Sequence, residues 1–500
     1  MELIGTIVVY IIMACAIAGC LASVIKPESE LGQQFVAGID SIGPIFLPVA
    51  GIMASAPYLT AFVSAVFGPA YSAVGADPAM AATTFIAVDM GGYQLADALA
   101  ETRESWIMAM VTGYMAGATI VFSIPVALKM LEKRDRKYLA LGVMSGLLAI
   151  PIGVLVASAI IAVSHPMVRE IVSTNADATY QLALSWGQIG VNLIPLIIIC
   201  VALAAGLKFK PDAMIKGFIV FGRVMESALK IVFVLVVVEY FTGVWSTLFG
   251  SFGFDPIIAD EEDVFRALEV SGAIGMMLCG AFPMVYLIRR YLAKPLAKIG
   301  GAVGLSSDAT AGLLAGSANV LALFSMVKDL RAKDKVICMA FAVCCAFLFG
   351  DHLSFTANFQ PNLIVVVLAG KLAAGICAIV FAKLLAVKKA EQLEREAGED
   401  VLYDAQRLGL AEPDPTADVE GYDAAYKLSI LSSLAFHAHV PVEKVFREGI
   451  TRVTPLDIAC GQEMGLTLKL LAVAKRSGDR VEARVHPTFV PSTHPLASVS

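Results

Sequence analysis

From Leu363 to Leu385 the chain reads LIVVVLAGKLAAGICAIVFAKLL. An α-helix rises about 1.5 Å per residue, so this run can cross a bilayer core about 30 Å thick, which takes about 20 residues. Only Lys371 and Lys383 interrupt it with charge. A chain carrying such a segment is read first as a membrane protein. Working outward, residues 3–24, 42–67, 139–163, 186–207, 219–244 and 270–288 have the same character, and 81–99, 106–128, 301–327 and 336–350 are shorter or interrupted by polar residues. The pattern predicts an all-α polytopic fold with about ten transmembrane helices and one or two segments that do not fully span.

Composition agrees. The 500 residues are 58% hydrophobic and 16% charged, against about 25% charged in soluble domains. Most of the apolar residues precede Lys388, which sets the expected division: a transporter domain over 1–390, a polar linker over 391–402 and a soluble tail over 403–500. A net charge of −6 without a basic stripe points to no nucleic-acid partner. The nine cysteines form no CxxC pair, so they read as small core residues rather than a metal site or disulfide frame, and no cofactor is expected. The first apolar run is preceded by Glu2 and no basic residue, which favours a retained helix over a signal peptide.

The basic loops 129–137, 208–216, 289–298 and 328–335 are expected on the cytoplasmic side, the acidic stretch around Asp255, Asp260 and Asp263 outside, and the tail inside. Both flanks of 301–327 are basic, and the segment contains Ser306, Ser307, Asp308 and Asn319, so a re-entrant hairpin buried in protein is expected there. Residues 113–136 also resemble 312–335 at a constant offset, sharing Gly113xxxGly117 with Gly312xxxGly316 and a basic-Asp-basic turn at Asp135 and Asp334. That similarity suggests an internal repeat, and transporters place their sites where repeats meet.

Ionisable groups at membrane depth persist when they are paired, wetted or used. Asp89 sits in Val88-Asp89-Met90-Gly91-Gly92-Tyr93, Asp351 and His352 follow Gly350, and Lys371 follows Gly370. Glycines at such points break helices and free backbone groups to face a ligand. On one reading Asp89 or Asp351 meets a cationic substrate; on the other, one of them pairs with Lys371 as a structural ion pair, or they stand at helix ends in water. His352 is a candidate proton relay or a local hydrogen-bonding residue. The two GxxxG motifs read as packing sites. Glu239 reads as interfacial, and Glu226 with Lys230 as a helix-surface pair.

The run Gly117-Ala118-Thr119-Ile120-Val121-Phe122-Ser123-Ile124-Pro125-Val126-Ala127-Leu128, with Asp135-Arg136-Lys137-Tyr138-Leu139, Asp89-Met90-Gly91-Gly92, Arg266-Ala267-Leu268-Glu269-Val270, Gly350-Asp351-His352-Leu353 and Gly370-Lys371-Leu372, resembles the ethanolamine-utilisation transporter family over about residues 1–390. The resemblance implies a bacterial inner-membrane carrier that brings ethanolamine into the cell. Ethanolamine is mostly cationic at neutral pH, so a carboxylate or an aromatic face suits it. Asp89 and Asp351 are the candidate charges, Tyr93, Trp106 and Phe122 the candidate aromatic neighbours, and Ser123 and Asn319 the candidate partners of the hydroxyl.

The tail is similar to something else. Leu410-Ala411-Glu412-Pro413-Asp414-Pro415-Thr416-Ala417-Asp418-Val419-Glu420-Gly421 and Asp423-Ala424-Ala425-Tyr426-Lys427-Leu428 resemble the catalytic domain of homoserine dehydrogenase. The resemblance assigns Glu412, Asp418, Asp423 and Lys427 to homoserine binding or hydride transfer. No GxGxxG follows a strand, so no nucleotide-binding half is expected. The tail therefore reads as an incomplete α+β fragment without dehydrogenase activity, and the chain as a carrier rather than a tethered enzyme or a membrane sensor.

Overall fold

The computed structural model describes residues 2–261, 263–302, 305–397, 405–406, 412 and 414–497. They fall into two compact units, Met1–Leu393 and Glu394–Ser500. The first is helical apart from a two-residue strand pair, Met167–Val168 with Tyr180–Gln181.

Seven helices of the described residues are long and apolar enough to cross a bilayer: Leu3–Ile25, Glu30–Ala54, Arg103–Met130, Lys133–Ser164, Trp186–Phe209, Ala267–Tyr291 and Pro361–Leu385. The expected number was ten, and the differences have local causes. The stretch 42–67 turns at Ser55 into a separate helix, Ala56–Val66. Pro211–Thr242 is long enough, but Arg223, Glu226, Lys230 and Glu239 dilute its apolar character. The stretches 81–99, 301–327 and 336–350 are each broken before they reach spanning length. Outward-facing Leu3, Tyr10, Val24, Ile198, Phe241 and Leu384 are exposed, as side chains in contact with lipid hydrocarbon are.

The breaks organise the core of this unit. Ala79–Phe85 ends, a 3-10 turn Val88–Met90 follows, and Gly91 at φ 95° lets the chain restart as Gly92–Leu99. Ala332–Cys345 ends at Ala346, Phe347 takes a left-handed φ of 58°, and Asp351–Phe359 begins after Gly350. Between them in sequence, Ser307–Ala318 and Val320–Met326 fold back on each other: Leu323 packs against both Gly312 and Gly316. The tip of that hairpin supports the second break, since Phe347 N donates to Gly316 O (3.3 Å) and Phe349 N to Ser317 O (2.9 Å).

Gly113 and Gly117 do a different job. A Cβ at Gly117 would strike the Ile86 carbonyl, and one at Gly113 the side chain of Val88, so these glycines let the first broken segment lie directly on the helix that carries them. That helix passes through a π-helical stretch, Ala118–Ser123, before continuing as Ile124–Met130. The two similar basic turns meet through a buried ion pair, Lys335 Nζ to Asp135 Oδ1 at 2.6 Å.

The second unit holds helices Thr416–Val419, Tyr422–Phe436 and Pro455–Glu463 against a three-stranded sheet. Its strands, Phe446–Arg447, Leu466–Ser477 and Arg480–Pro491, lie with the last in the middle, antiparallel to its hairpin partner and parallel to the short strand. Ala425, Leu428, Val440, Val445 and Val485 form its small core. Of the expected linker, residues 391–397 continue as the helix Val387–Ala397, rich in good helix formers; residues 398–402 lie outside the described residues, as do Leu410, Ala411 and Pro413 of the dehydrogenase-like run.

Candidate functional site

The two broken helices bring Asp89, Asp351, His352 and Lys371 together. Asp89 stands on the 3-10 turn of the first break with its side chain 13% exposed, and its Oδ1 lies 3.9 Å from His352 Nε2. Neither of these two atoms has a hydrogen-bond partner among the described residues. Asp351 is the first residue of its helix, where the peptide dipoles favour a carboxylate. Its helix packs against the turn that carries Asp89. His352, 1% exposed, meets Lys371 Nζ through Nδ1 at 2.7 Å, and Lys371 Nζ also donates to the Tyr114 carbonyl at 2.8 Å.

The structural reading that paired Lys371 directly with a carboxylate does not describe this arrangement. Histidine stands between the amine and Asp89, 3.9 Å from the Asp89 Oδ1, and among the described residues Lys371 forms no ion pair with a carboxylate. Tyr114 and Phe347 flank the imidazole, with ring centroids 4.9 and 5.4 Å away. The sequence reading missed both. Tyr114 follows Gly113 in the GxxxG motif, a position that marks close packing; nothing local marks Phe347.

The remaining candidates are placed around this cluster. Tyr93 is fully buried, stacks on Trp106 (4.6 Å), and its hydroxyl accepts from Gln360 Nε2 (2.8 Å). With Phe355 and Phe359 it forms an aromatic layer next to the cluster rather than a face within it. Beyond the layer, Gln360 and Arg169 close that end of the bundle: Gln360 accepts from Arg169 N, and the Arg169 guanidinium donates to the carbonyls of Asn358 and Phe359 at the end of the helix that starts with Asp351. Phe122 meets the ring of Phe347 edge-on, with centroids 5.7 Å apart. Ser123 lines a small apolar crevice with Thr119, Val320 and Met339, and its hydroxyl has no described partner. The side chain of Asn319 caps the helix Val320–Met326 through Leu321 N (2.8 Å).

Towards the basic loops, a recess of about 940 Å³ is lined by Lys26, Glu30, Tyr286, Arg290, Leu314 and Met326, among others. Tyr286 is one helical turn beyond Phe282, whose ring edge approaches Gly350 to within 3.8 Å of a side chain built there. The lining of the recess stops at Tyr286, one turn short of Phe282.

The family model for the ethanolamine utilisation protein EutH matches residues 4–385. The chain belongs to the EutH family. Among its relatives, the probable ethanolamine permease EutH of Listeria monocytogenes is 36% identical over 401 residues, covering 79% of this chain and 99% of the relative. That of Salmonella typhimurium is 39% identical over 373 residues, covering 73% and 88%. A EutH-family chain with seven apolar spans is a membrane protein with a transporter's role.

Residues 374–500 match the homoserine dehydrogenase model. The Mycobacterium bovis homoserine dehydrogenase is 54% identical over 104 residues, 20% of this chain and 24% of that protein. A Staphylococcus aureus homoserine dehydrogenase structure matches with 42% identity and TM-score 0.20, covering 20% of this chain and 26% of that one. The tail therefore spans about a quarter of the dehydrogenases it matches. Within it, Asp423 pairs with Lys427 at 2.6 Å on an exposed helix face, which holds the ammonium above its ordinary range. Glu412 N donates to Asp418 Oδ2 at 3.0 Å.

Proposed function

We propose that the chain carries ethanolamine as its ammonium cation across the bacterial inner membrane and into the cell, binding it between Asp89 and Asp351. The observation that carries this reading is the pair of carboxylates on two facing helix breaks inside a lipid-spanning bundle. Asp89, Asp351 and an ammonium on Lys371 leave the empty site with one net negative charge, which draws a substrate cation to it. Breaks of this kind supply a transporter with unpaired backbone groups and charge at the bilayer midplane. The names of the relatives supply the substrate, and loop charge makes the side of the basic loops, where the recess beside Arg290 opens, the cytoplasmic side.

The test is uptake of labelled ethanolamine at low concentration and acidic pH, where the freely diffusing base is scarce. Asp89→Asn and Asp351→Asn are each expected to lower uptake by about tenfold or more, as removal of a charge partner from a buried ion pair does. Wild-type uptake in both variants would retire the site.

For the tail we propose no hydride-transfer activity, because the sequence contains no nucleotide-binding fingerprint. NADPH-linked reduction of aspartate semialdehyde by the purified chain would overturn that.

A further inference from the structure

Lys371 is a buried amine whose two partners are both neutral groups, the Tyr114 carbonyl and His352 Nδ1. A neutral amine and an ammonium fit this place differently. An ammonium has no lone pair, so it donates to Nδ1, and the neutral ring then carries its proton on Nε2, facing Asp89. A neutral amine accepts from Nδ1–H instead, and the ring turns a bare Nε2 lone pair towards Asp89. The charge on Lys371 thus decides whether the imidazole offers Asp89 a donor or an acceptor. The 3.9 Å between Nε2 and Asp89 Oδ1, both without other partners, is the one open link in this chain.

We propose that Lys371, His352 and Asp89 form a proton relay that exchanges one proton for one substrate ammonium, so that transport is electroneutral; this rests on the cation-carrier reading above. In the empty site Lys371 is an ammonium and His352 Nε2–H points at the Asp89 carboxylate. When the substrate ammonium arrives at Asp89, the Nε2 proton leaves through Asp89 to water and the Lys371 proton moves to Nδ1. Nε2 then accepts from the substrate. One positive charge enters and one proton leaves, so the site never holds two cations a few ångströms apart in a medium of low dielectric constant. The other titratable groups facing Lys371 are the thiols of Cys344 and Cys345 on the adjoining helix and Tyr114, whose phenol is engaged with Thr356 at 2.7 Å. None of these bridges the amine to Asp89; only His352 does.

The full chain reconstituted in vesicles tests this, with rates taken above protein-free vesicles. Net ethanolamine uptake is expected to be the same under valinomycin–potassium potentials of either sign. A carrier moving one net charge responds by about tenfold in driving force per 60 mV, and such a response overturns the relay. In Lys371→Met and in His352→Gln, substrate-for-substrate exchange is expected to fall much less than net uptake, because exchange needs no proton. Net uptake should fall by about tenfold or more, because the empty carrier's return does need one. Wild-type net uptake in both variants overturns the proposal, and loss of exchange together with net uptake in both makes the pair structural and overturns it too. Absence of any uptake by the unaltered chain removes the carrier reading itself, and this inference with it.

Discussion

Asp135 and Lys335 stand 200 positions apart and form an ion pair with both side chains almost wholly buried. Each is part of a turn that reads as an ordinary basic loop, and nothing in either stretch names the other as its partner. Removing one member of such a pair leaves a buried charge unanswered and costs about 3–5 kcal/mol. Asp135→Asn is therefore expected to lower the thermal unfolding midpoint in detergent markedly, and Asp135→Leu combined with Lys335→Met to recover most of it. A single variant as stable as the parent would show the pair to be open to water. The same logic separates what was legible at the candidate site from what was not. Asp89, Asp351, His352 and Lys371 stand out one by one, because a charge in an apolar run is conspicuous. That the histidine sits between lysine and Asp89 follows from how separate helices cross, which no local pattern encodes.

At the level of elements, two of the helix breaks marked by glycine were readable, since Gly91 and Gly350 lie at restarts, whereas Gly370 lies inside the unbroken helix Ile364–Leu385 and packs against Gly153 and Ala157. The turn at Phe347 was not, since a bulky residue in the left-handed region gives no warning in sequence and persists only where its surroundings impose it. The overcount of spans has the same origin: an apolar window measures length and greasiness, whereas the windows 42–67, 81–99, 301–327 and 336–350 each contain a break. Gly117 shows how tightly one such break is seated. Gly117→Val would drive a side chain into the backbone of Ile86, which cannot move aside as a side-chain tip can. Overpacking of this kind costs about 1–3 kcal/mol, and it should displace Asp89, abolishing uptake while membrane insertion persists. Normal uptake in that variant would mean that the first broken segment has room to shift.

On the scale of the whole chain, the two units have separate hydrophobic cores. A chain cut after Ala397 is therefore expected to transport at the full rate, and loss of uptake with normal expression would assign the tail a part in transport. The exposed Cys460 reports where that tail resides. In intact cells a membrane-impermeant maleimide should leave it unlabelled and should label it after permeabilisation, as the basic loops demand; labelling in intact cells would invert the orientation.

Arg169 ties a surface hairpin to the last carbonyls of the helix whose first residue is Asp351. A rod pinned at its tip can pivot there but cannot slide away. Any shift that carries the whole helix off its seat must first strip those carbonyls of their guanidinium, so the lifetime of these few bonds limits how often it occurs. Arg169→Ala should shorten that lifetime, visible as faster amide exchange in residues 355–360; unchanged exchange there would free the helix from the hairpin's control.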